Sequence, residues 1–154
     1  LARGLVHQPR LLLLDEPTVG LDPQIRTELW TLIDNLRSQG TTILMSTHYI
    51  EEAERLADEV AVVSAGKVIA RATPSELIAE HAGERTAEVY GPPERLAEVR
   101  QQVEAAGLRV RPAGPAIAIV GAETAGPGTI PEDAVFRAGS LEDVFVMLTG
   151  EEAE

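Results

Sequence analysis

Two adjacent carboxylates, Asp15-Glu16, and a histidine further along, His48, are the groups in this chain best suited to chemistry. Four leucines, Leu11 to Leu14, run directly into the acids, and the turn-formers Pro17 and Gly20 follow them. Such a run predicts a short strand buried on both faces, as in the middle of a parallel sheet. Its C-terminal end is where open α/β sheets bind ligands. An acid at that place can hold Mg²⁺ for phosphoryl transfer, and a neighbouring group can position the attacking water. For the leucines and one acid alone, a core strand closed by a solvated acidic turn explains as much.

The elements around these groups decide between the two. Asp22 predicts an N-cap and Pro23 a first helical position. Ile25, Leu29, Leu32, Ile33 and Leu36 then fall on one helical stripe, and Gly40 ends the helix. Residues 41–46, Thr-Thr-Ile-Leu-Met-Ser, predict a second buried strand. Strand, helix, strand implies a parallel crossover and an α/β domain. Two neighbouring parallel strands would bring Asp15-Glu16 and Thr47-His48 to the same sheet edge. A histidine after a strand is most often structural, and it is this register that makes His48 a functional candidate.

The stretch from Leu11 through Asp-Glu-Pro-Thr to Val19-Gly20-Leu21-Asp22 resembles the Walker B and D-loop segment of the ABC ATPases. Ser46-Thr47-His48, with Tyr49-Ile50-Glu51-Glu52-Ala53-Glu54 after it, resembles the switch histidine and the helix that follows it. The resemblance implies that Asp15 is the Mg²⁺ ligand, Glu16 the general base and His48 a contact to the γ-phosphate. It also implies that Gly20, Leu21 and Asp22 form a D-loop reaching across a dimer interface, with ATP as the nucleotide. The fold implied is the C-terminal part of a P-loop NTPase core, a parallel sheet with flanking helices, followed by a small α+β domain.

Further on, residues 49–57 predict a helix with Ile50, Ala53, Leu56 and Ala57 inward and Glu51, Glu52 and Glu54 in solvent. Val60 to Ser64 and Lys67 to Arg71 predict a hairpin about Ala65-Gly66, and Thr73-Pro74-Ser75-Glu76 caps a short helix. Gly-Lys-Val-Ile-Ala followed by Thr-Pro-Ser-Glu-Leu again resembles ABC transporter subunits, with Ala72 where a Gly often stands. The core, 1–82, is expected to end near His81-Ala82-Gly83. The accessory domain, 83–154, reads as a strand to Tyr90, a helix from Pro92-Pro93 to Gly107, short strands at 108–111, 116–120 and 134–137, and a helix capped by Ser140. No convergent polar cluster is expected there, so docking or regulation is favoured over catalysis. Gly139 to Gly150 resembles the tail of ATPase subunits of multidrug and antibiotic exporters, and Glu151 to Glu154 forms an acidic end.

Bulk properties narrow the choice. Net charge is -12 over 154 residues, with 7 basic and 12 acidic side chains in 1–83 and 6 and 13 in 84–154. Such a surface disfavours nucleic acid and anionic lipid as broad electrostatic partners. There is no cysteine, no bilayer-length apolar run and no charged-then-apolar leader. Lys67 is the only lysine, and no G-x-x-x-x-G-K-[ST] phosphate cradle occurs in the sequence. The chain therefore reads as the C-terminal portion of an ABC exporter subunit, expected neither to bind nor to hydrolyse ATP alone. The resemblance implies a second ATPase subunit and a separate membrane permease as partners, with the subunit held at the inner face of the membrane. The alternatives are an SMC-type DNA-maintenance ATPase head, which heptads before Leu11 would signal, and a non-catalytic binding module in 84–154.

Overall fold

A computed structural model describes residues 9–150. The expected helix end at Leu1 to His7 and the acidic end at Glu151 to Glu154 lie outside the described residues. The chain divides into two compact units, Leu1–Leu56 and Ala57–Glu154.

In the first unit, β1 (Leu11–Asp15), α1 (Pro23–Ser38), β2 (Thr42–Ser46) and α2 (Ile50–Leu56) form the expected crossover. The strands pair in parallel, with Leu11 opposite Thr42 and Asp15 opposite Ser46. Asp22 starts α1 by accepting the N–H groups of Gln24 and Ile25, each at 3.0 Å. Gln39 closes it in contact with the carbonyls of Asn35, Leu36 and Arg37. The core is Trp30, Ile33 and Leu56, with Leu14, Leu29, Ile43 and Met45 against them. The predicted stripe is thus shifted. Trp30 takes the centre, while Ile25 and Leu32 remain exposed.

One expectation is corrected here. β1 and β2 are not buried on both faces: Leu11, Leu13 and Leu44 are 55%, 66% and 67% exposed. The in-register pairing puts these three on one face, and α1 and α2 supply apolar partners only to the other. Leu13→Ser is accordingly expected to change unfolding free energy by less than about 0.5 kcal/mol, whereas Ile33→Ala costs about 2–5 kcal/mol. Urea denaturation followed by Trp30 fluorescence measures both.

The second unit opens with the hairpin β3 (Val60–Ser64) and β4 (Lys67–Ala72). Its two-residue turn has φ of 48° at Ala65 and 74° at Gly66, the left-handed pair that matches strand twist. Next comes α3 (Pro74–His81), whose capping box joins Thr73 and Glu76 reciprocally. The remaining elements are β5 (Arg85–Tyr90), α4 (Pro93–Ala105), β6 (Arg109–Ala113), β7 (Ala116–Val120), β8 (Val135–Ala138) and α5 (Leu141–Thr149). They build an antiparallel sheet in the order β6-β7-β5-β8. Ala87, Val89, Val99, Val103, Leu108, Ile117 and Ile119 form its core. α3 packs on α5, and Arg109 donates to the His81 carbonyl at 2.6 Å. The hairpin and α3, which precede residue 83 in the chain, therefore pack as part of this unit.

A second correction concerns polar groups in this unit. Asp143, fully buried, accepts from Arg111 Nε at 2.7 Å, Arg137 at 2.7 and 2.8 Å and Thr86 Oγ1 at 3.1 Å. Arg137 also donates to Glu88 at 2.6 Å. A convergent cluster does exist here. The sequence hides it because its members come from β5, β6, β8 and α5, which only the sheet order brings together. Every member is spent on another, so the cluster locks α5 to the sheet.

Candidate functional site

The site is built at the C-terminal ends of β1 and β2. Because Asp15 and Ser46 are register partners, the residues that follow, Glu16 and Thr47-His48, leave the sheet side by side. The Glu16 N–H extends the ladder by one bond, donating to the Ser46 carbonyl and hydroxyl, both at 3.1 Å. Glu16 itself has φ 45°, a left-handed conformation that costs a non-glycine residue about 1 kcal/mol or more. The turn that follows is closed by Val19 N–H to the Glu16 carbonyl at 3.3 Å. In this conformation the Glu16 carboxylate meets His48, with Nδ1 and Oε2 separated by 2.6 Å.

Both side chains are partly open to solvent, 45% for His48 and 39% for Glu16. At that exposure an ion pair contributes little to stability, so the pairing matters for what it orients. An ionised carboxylate only accepts, so Nδ1 carries the shared hydrogen and Nε2 is left to meet a further group. The ring is held on its side by Tyr49, at 4.2 Å between centroids. The Arg26 guanidinium from α1 lies 4.6 Å over that tyrosine.

Asp15 is on the exposed face beside Ser46, whose hydroxyl donates to Oδ1. These are hard oxygen donors at an open strand end, a set that fits Mg²⁺ held mainly through water and substrate phosphates. Among the described residues no group of three or more acidic or histidine side chains gathers into a cage for a metal on its own. Gly20, Leu21 and Asp22 follow in the same loop. Gly20 has φ 75°, with open space where a side chain would start, and Leu21 N–H donates to the Thr18 carbonyl at 3.1 Å. The Asp22 carboxylate is committed to capping α1.

Three contributors, Ser46, Thr47 and Glu52, lie within the stretch that resembles the switch histidine and its helix, but the sequence assigned them no role at the site. Ser46 bridges the backbone of Glu16 and the side chain of Asp15. Half-buried Thr47 donates to buried Glu52 beside His48, and the assignment of Glu52 to solvent is thereby corrected: it is 1% exposed. The one signal available was Thr47 five positions ahead of a glutamate on the helix face next to Leu56. The arrangement as a whole can hold a divalent cation at Asp15, accept a proton at Glu16 and, when the ring carries both protons, present His48 Nε2–H to an anion. Phosphoryl transfer uses side chains of these kinds, and no G-x-x-x-x-G-K-[ST] occurs among these 154 residues.

A family model described as an AAA domain, putative AbiEii toxin of a type IV toxin–antitoxin system, matches residues 3–52, the stretch that carries Asp15, Glu16 and His48. Over its whole length the chain is similar to curated proteins named Nod factor export ATP-binding protein I. It is 41% identical to the one from Ralstonia nicotianae, covering 98% of this chain and 50% of the relative. It is 40% identical to that of Rhizobium sp. (strain N33), covering 100% and 52%. For Mesorhizobium japonicum the identity is 39%, over 100% and 46%. The chain thus spans about half the length of the curated relatives it matches.

Proposed function

We propose that this chain, similar over its whole length to proteins named Nod factor export ATP-binding protein I, is the hydrolytic portion of an ABC-type ATPase subunit driving export of a small molecule through a separate permease. The observation that supports this most is the 2.6 Å contact of His48 with Glu16, at a strand end where Asp15 stands one residue away. Glu16 takes the proton from the attacking water, and His48, steered by Glu16 and Tyr49, donates to the γ-phosphate through Nε2–H when its ring carries both protons. Asp15 would hold Mg²⁺, which would supply charge neutralisation at the phosphates. Gly20, Leu21 and Asp22 lie on the loop assigned to contact with a second subunit.

By role we assign residues 1–82 to the nucleotide-binding core and 83–154 to an accessory domain, although 57–82 pack within the second unit. Among the described residues no helix is long and apolar enough to cross a membrane, and we place the subunit at the inner membrane face through its permease. The tail from Gly139 to Gly150 supports a drug or antibiotic as cargo. The relatives' names specify Nod factor, and export is what the two share. With no G-x-x-x-x-G-K-[ST] in its sequence, the 154-residue chain by itself is expected to show no ATPase above background. The test supplies the phosphate-binding half of such a subunit in trans or in frame and measures phosphate release. Activity that requires both halves and falls on His48→Ala supports the reading. Hydrolysis by the chain alone, or none with both halves folded, overturns it.

A further inference from the structure

We propose that Glu52 is a positioning residue for His48, acting through Thr47 and through the backbone of Tyr49. The proposal rests on the reading of Glu16 and His48 as the water-positioning pair. Both residues that flank His48 are fastened to Glu52. The Thr47 hydroxyl donates to Oε2 at 2.8 Å while accepting the Tyr49 N–H at 3.0 Å. The Tyr49 carbonyl in turn accepts the Glu52 N–H at 3.0 Å. The other carboxyl oxygen, Oε1, accepts the indole N–H of Trp30 at 3.2 Å. Trp30 is in the core of the unit, 6% exposed, so the carboxyl group is anchored to the least yielding part of α1.

A carboxyl group at 1% exposure is a costly way to fill space, because its desolvation offsets what its bonds contribute. An apolar side chain there would serve the core as well. What Glu52 supplies and an apolar residue cannot is direction: two acceptors aimed at groups on different elements. The effect is to hold the Thr47 hydroxyl, which in turn accepts the Tyr49 N–H across His48, and so to set the path along which the ring reaches Glu16. A misplacement of the order of 1 Å at a reacting group costs up to about 100-fold in rate, so this constraint bears on turnover more than on folding.

The test uses Thr47→Val, which keeps shape and removes the hydroxyl, with Thr47→Ser as the variant that restores it and Glu52→Gln as the partner change. In the 154-residue chain, NMR of the His48 ring and of the single indole N–H reports the arrangement without any nucleotide. The expected result is displaced His48 ring signals and a lost His48–Tyr49 ring contact in Thr47→Val, with wild-type signals in Thr47→Ser. Unchanged His48 signals in both Thr47→Val and Glu52→Gln overturn the proposal. In the ATPase completed by its phosphate-binding half, Thr47→Val is expected to lower kcat about tenfold with KM for ATP within about twofold, and Thr47→Ser to recover it. A kcat kept within twofold overturns the positioning role. Full activity in Glu16→Gln removes the hydrolytic reading instead, and the NMR comparison still decides whether Glu52 orders His48.

Discussion

Glu16→Gln in the ATPase completed by its phosphate-binding half is expected to reduce ATP hydrolysis at least about 100-fold while nucleotide affinity stays within about threefold. Gln has the same shape and cannot take a proton from water at neutral pH. It also keeps a side-chain oxygen for His48, so the geometry of the strand end survives and only the base is removed. Steady-state phosphate release against ATP binding separates the two effects. Loss of binding in parallel with rate would mean that Glu16 acts by holding the loop, a reading to which its left-handed backbone lends some weight. Retained turnover would place the base elsewhere.

Asp143→Ala is expected to destabilise the second unit by about 3–5 kcal/mol, because it leaves Arg111 and Arg137 without their shared buried partner. Arg111 is itself nearly fully buried, and its remaining contacts are the Pro112 carbonyl at 2.9 Å and the exposed Glu142 at 3.3 Å. Acid gives an independent check. Burial pushes the Asp143 carboxyl up, but the hydrogen bonds and charges of Arg137 and Arg111 outweigh it and bring the pKa down to about 2. The unfolded chain, with an ordinary carboxylate, binds that proton more readily than the folded one. The contribution is therefore complete above about pH 4 and is lost as pH falls through 2. A shift from 3.8 to about 2 corresponds to on the order of 2 kcal/mol. Urea midpoints between pH 5 and 2, read for wild type and Asp143→Asn, should converge at the acid end. Parallel curves would show that the carboxylate charge is not what holds α5.

What the sequence determined by itself was the local grammar and which chemistry-bearing side chains share one sheet edge. Asp22-Pro23, Thr73-Pro74 and Ser140 begin helices where their caps say they should, because capping depends on a few contiguous residues. The crossover from β1 to β2 followed from element order, and with it the meeting of Asp15, Glu16 and His48, since parallel neighbours must end on the same side. The tertiary structure decided everything that depends on which face finds a partner. The leucine run could not reveal that Leu11 and Leu13 face solvent, because periodicity is silent when every position is apolar. Glu52 carried the pattern of a solvated acid and is buried, because Trp30 and Thr47 arrive from other elements with hydrogens to donate. Asp143 closes the capping box with Ser140 three residues before it, a local role, yet its larger role needs two arginines from distant strands. Burial and ion pairing are properties of a neighbourhood, and in a chain of this length most neighbourhoods are assembled from residues far apart in sequence.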